Sequence, residues 1–115
     1  MEIVNTVLAL FSIALGLFGW LAPRFTLETL DLVAGPTTMG QSEIRASAGA
    51  LFVGLGLGAL VLNVPAAHAM LGLAWAGAAT GRATSLALDG RNRKKWAFFV
   101  IETAVALTSL AINLT

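Results

Sequence analysis

The chain has 115 residues, 57% of them apolar and 11% charged, with a net charge of +1 and a mean hydropathy of +0.84. A soluble domain carries about 25% charged residues, so this composition belongs to a membrane protein. The absence of cysteine excludes disulfide frameworks, thiolate metal sites and thiol nucleophiles, and the small net charge argues against a nucleic-acid partner.

Ile3 to Ala22 carries no charge and reads as a first span, closed by Trp20 at the headgroup level and by Pro23. It is of span length, and no basic segment precedes it, so a secretory leader is not expected here. Arg24 to Val33 mixes Phe25, Leu27, Leu30, Leu32 and Val33 with Arg24, Glu28 and Asp31. That is too short and too charged to span, and predicts an amphipathic piece lying at the interface. Ala34 to Thr38 is a loop by composition.

Ser42 is the expected N-cap of a second helix over residues 43–63. Glu43 suits the positive end of that helix; Arg45 does not and calls for an anionic partner. Asn63-Val64-Pro65 breaks the chain, and a third helix is predicted over 66–88. Asp89-Gly90 turns, Arg91, Arg93, Lys94 and Lys95 make a basic loop, and Trp96 opens a fourth helix over 96–114. The expected fold is a single all-α membrane domain over residues 1–115, a bundle of four transmembrane helices with a short interfacial segment after the first.

Charge placement orients such a bundle. Every Lys and Arg falls in the loops after helices one and three or in the adjoining helix ends: Arg24, Arg45, Arg82, Arg91, Arg93, Lys94 and Lys95. Cytoplasmic loops carry the excess of Lys and Arg, so both termini are expected on the outer side of the membrane. The basic loop is expected to hold this topology and to touch anionic headgroups, with the bilayer as the chain's first partner.

Small residues repeat at four-residue spacing: Ala46, Ala50, Gly54 and Gly58 on helix two, and Gly77, Gly81 and Ser85 on helix three. Such stripes let helices approach closely in lipid, so Gly54, Gly58, Gly77 and Gly81 are the predicted packing positions. Gly16 and Gly19 give helix one a smaller smooth patch, and Glu102, Ala106, Ser109 and Asn113 draw a polar line expected to face inward. The Gly54-x-Gly56-x-Gly58 run lies inside an apolar helix, so packing and not dinucleotide binding is its reading. His68 is the only histidine; metal ligation needs companions, and an interfacial role is expected ahead of a proton relay. No cofactor and no metal are expected.

Arg82 and Glu102 are the charges set deepest. Each lies six residues from its predicted helix end, at Leu88 and Trp96, and so roughly 9 Å from it at about 1.5 Å per residue. A charge at that depth normally faces the bundle interior and pairs. Three readings follow: a structural ion pair, a cytoplasm-facing pocket for a polar or anionic small molecule lined by Arg45, Arg82 and Glu102 with Ser85 or Asp89, or a contact with a partner subunit.

The elements Glu43-Ile44-Arg45 with Gly49, and Gly81-Arg82-x-x-Ser85-x-x-x-Asp89-Gly90 with Glu102, resemble a bacterial family of short four-helix integral membrane proteins of unknown function. The likeness runs from about Leu15 to Ala106. It implies the four-span fold and marks Arg45, Arg82, Ser85, Asp89 and Glu102 as polar positions; it implies no reaction. The expected function is association, as an accessory or scaffolding subunit or a homo-oligomer. Small-molecule binding or transport through the Arg/Glu cluster is the alternative. A lipid- or quinone-directed enzyme with Glu102 as acid/base stands last.

Overall fold

The computed structural model describes residues 2–115, and the protein is all-α; among the described residues there is no strand. α1 is Glu2–Leu21, α2 Pro23–Thr29, α3 Met39–Arg45, α4 Leu51–Leu62, α5 Pro65–Leu88 and α6 Arg93–Asn113. A π-helical turn, Ala46–Ala50, joins α3 to α4, so Met39–Leu62 is one continuous helix and the described residues form five helices. The chain divides into two compact units, one of residues 6–61 and one of Leu62–Thr115 with the first turn of α1 up to Asn5.

Within residues 6–61, α1 buries only small side chains, Ala9, Ser12, Gly16 and Gly19, spaced three or four apart on one face. That face lies against the Met39–Leu62 helix at backbone distance. A Cβ on Gly16 would stand 2.6 Å from Gly49 O, and one on Gly56 would stand 2.6 Å from Ile13 Cγ1. Gly19 meets the Ala48 carbonyl and Gly49 meets the Trp20 amide at still closer range. The crossing therefore falls on the π turn, where Leu51 N–H bonds back five residues to Ala46 O.

Pro23 ends α1 and, with its fixed φ and missing N–H, opens α2 at the first helical position. The amphipathic segment is thus a true helix, but one of seven residues. It stops in a Schellman turn, with Leu32 N–H on Leu27 O and Asp31 N–H on Glu28 O, and Asp31 left-handed at φ 58°. The following helix starts a turn earlier than predicted, at Met39. Ser42 is not its N-cap: its own N–H is already bonded to Thr38 O at 2.9 Å. That shift moves Arg45 out of the first turn and relieves its conflict with the helix dipole.

In the other unit, Asn63 ends α4 in the left-handed region at φ 47°, and extended Val64 leads into Pro65 at the start of α5. α5 and α6 pair as an antiparallel hairpin. Gly90, at φ 93°, makes the turn, and the Asn92 side chain caps α6 by accepting from Lys95 N–H at 2.8 Å. The cap sets the start of α6 at Arg93, three residues ahead of the predicted Trp96.

Among the described residues three helices, Glu2–Leu21, Met39–Leu62 and Arg93–Asn113, are long and apolar enough to cross a membrane, not the four expected. α5 has the length, 24 residues. It lacks the apolarity, because Arg82, His68, Thr80, Thr84 and Ser85 are diluted by Ala and Gly and not by Leu or Ile.

Candidate functional site

The α5–α6 hairpin brings Arg82 and Glu102 together. Arg82 Nε donates to Glu102 Oε1 at 3.2 Å and Nη2 to Oε2 at 2.9 Å, a side-on, bidentate pairing in which both carboxylate oxygens are engaged. The two side chains are 32% and 10% exposed. Phe98, one turn before Glu102 on α6, lies under the guanidinium, with Arg82 Cζ 5.3 Å from the ring centroid. Sequence reading missed Phe98, although its four-residue spacing from Glu102 puts both on one helix face. The opposite charges of the pair meet directly, through Nε and Nη2 of the guanidinium.

The other polar positions disperse. Ser85 is half-buried on α5, and its carbonyl accepts the Asp89 N–H at 2.8 Å. Asp89 is exposed. Lys95 turns back on the end of α5, with Nζ 2.9 Å from Gly90 O and 3.5 Å from Asp89 O. It therefore serves the negative pole of that helix, a role separate from headgroup contact. Arg91, Arg93 and Lys94 are exposed. Arg45, in the 6–61 unit, donates from Nη1 to Trp20 O at 2.7 Å. Among the described residues no three His, Asp or Glu side chains are grouped as metal ligands.

The predicted glycine positions are not where the backbones of this chain approach most closely. A Cβ on Gly54, Gly58, Gly77 or Gly81 would meet nothing within 4 Å. The tight approach on the hairpin is at Gly72, where a Cβ would stand 2.7 Å from Ser109 Oγ and 2.8 Å from Ser109 Cβ. Four-residue spacing marks a smooth face but cannot say whether this chain or another covers it.

A second polar group sits at the far end of the hairpin. Ser109 Oγ donates to His68 O at 2.8 Å, and His68 Nε2 lies 3.3 Å from Asn63 Oδ1. Asn113 donates to Ser109 O at 2.8 Å and exchanges two amide bonds with Asn5, at 2.9 and 2.8 Å. The inward polar line of α6 is thus real: Glu102, Ala106 and Ser109 are buried and Asn113 half-buried. His68 is 3% exposed and so is enclosed by the protein.

The fold defines a helical protein with three helices capable of crossing a membrane and an ion-paired hairpin. The chain belongs to the family described as domain of unknown function DUF4345, which matches residues 1–112. No curated protein and no solved structure matches it.

Proposed function

We propose that this chain is a multi-pass protein of a bacterial cytoplasmic membrane that works by association, as an accessory or scaffolding subunit or as a homo-oligomer. The observation that carries this reading is the open glycine surface. Gly77 and Gly81 are exposed on α5 in line with exposed Leu73, Met70 and Thr84, and their backbone is uncovered. In lipid such a smooth helix face is where another helix packs.

The reading includes α5 as a fourth crossing. The reciprocal amide bonds of Asn5 and Asn113 support it, because they hold the first turn of α1 beside the last turn of α6. A chain that crosses an odd number of times ends on opposite faces of the bilayer; joined ends call for an even number. With the Lys and Arg bias, both ends then lie on the periplasmic side, and Arg82 and Glu102 neutralise each other below the cytoplasmic headgroups.

The test is a Gly77→Ile/Gly81→Ile double variant purified in mild detergent. The parent chain should purify as an oligomer or with other subunits and the variant should lose them, while the α5–α6 hairpin survives with unchanged helicity. An unchanged assembly would defeat the reading.

A further inference from the structure

Arg24 and Arg45 share one side of the 6–61 unit, where two adjoining clefts of about 390 and 420 Å³ open beside the end of α1. Both arginines line the smaller cleft, with Gln41 between the two clefts and Ser42 in the larger. Neither has a carboxylate partner among the described residues. A guanidinium has five N–H donors, and the single bond from Arg45 to the Trp20 carbonyl fixes its place without cancelling its charge. The walls are apolar on the α1–α2 side, with Leu21 and Phe25 both lining the smaller cleft and 64% and 56% exposed. Phe25 is held against Phe18 at 5.6 Å between ring centroids. Trp20 and Pro23 set this corner at the end of an apolar helix, the level at which headgroups lie.

We propose that the Arg24/Gln41/Arg45 cleft is a binding site for a phosphate group, that of an anionic glycerophospholipid. Two unneutralised guanidiniums match phosphate oxygens in their fork geometry, and the exposed Leu21 and Phe25 lie where an acyl chain would run. A free phosphate ion would satisfy the arginines and leave the apolar wall unused. The site rests on α1 spanning a membrane and owes nothing to the glycine face, so the two readings fail separately.

The experiment is native mass spectrometry of the full chain from detergent carrying phosphatidylglycerol and phosphatidylcholine at equal mole fraction, after alkaline extraction has shown that the chain stays in the membrane pellet. The parent chain should retain one phosphatidylglycerol in preference to phosphatidylcholine. Arg24→Gln and Arg45→Gln should each weaken that retention about fivefold, the ratio that ~1 kcal/mol per cation near a headgroup implies. Arg24→Gln breaks no bond to the backbone, so it carries the test if the Arg45 variant folds poorly. Equal retention of the two lipids, or variants that retain phosphatidylglycerol as the parent does, would overturn the proposal. Displacement of the lipid by millimolar inorganic phosphate would assign the cleft to the free ion instead.

Discussion

At the scale of single residues, the Arg82–Glu102 pair has the sharpest energetic consequence. Removing one member strands the other where water is scarce, a loss of about 3–5 kcal/mol for a buried pair. Arg82 is 32% exposed against 10% for Glu102, so Arg82→Ala, which strands the more buried carboxylate, should cost more than Glu102→Ala. Replacing both by leucine should recover most of the stability of either single variant, and exchanging the two charges should recover part of it. Unfolding in detergent, followed by circular dichroism, reads all four. The Thr103 hydroxyl is a quieter case: its Oγ1 is buried without a partner. Thr103→Val should therefore raise stability, by up to about 1–3 kcal/mol, the desolvation cost of an unmet group. Asn63 combines two roles, a left-handed turn and the bond to His68. Asn63→Gly keeps the turn and Asn63→Ala strains it, so the alanine variant should melt lower than the glycine variant. The ion pair was legible from the sequence because depth and opposite sign sufficed. Phe98 and the Asn63–His68 contact were not, since each depends on a rotamer or a turn that composition does not specify.

At the scale of elements, the hairpin is held by contact of small side chains as much as by charge. Gly72→Ala would drive a methyl into Ser109 and should cost roughly 1–3 kcal/mol, the usual range for overpacking. Adding Ser109→Gly should return part of that loss, at the price of the bond to His68 O. Thermal melting of the three variants measures the coupling. Helix existence was clear from the sequence, whereas helix starts were not. The residue that capped α6 was Asn92, already present three positions before Lys95, but the run of charges that follows pointed to a loop. The π turn at Ala46–Ala50 left no trace in the pattern at all. It is set by how closely α1 approaches through Gly16, Gly19 and Gly49, a tertiary fact.

For the whole molecule, the number of crossings decides everything else about exposure. Cysteine placed at Glu2 should react with an impermeant thiol reagent in intact cells, and cysteine at Arg91 should not. Arg91 is preferable to its neighbour Asn92 because the latter caps α6. Labelling at Arg91 without labelling at Glu2 would reverse the orientation. Hydropathy alone selects three helices, because the Ala, Gly, Thr and Arg content of α5 makes it less apolar than the others. Those are the residues expected of a helix that meets protein on several sides.

The mutual amide bonds of Asn5 and Asn113 tie the first turn of α1 to the last turn of α6. Anything fused to one end emerges beside anything fused to the other. Two halves of a split fluorescent reporter, attached one at each end, should therefore assemble within a single molecule, with brightness independent of expression level. A peptide linker joining those ends would leave the Gly90 turn as the natural place to cut the ring open again.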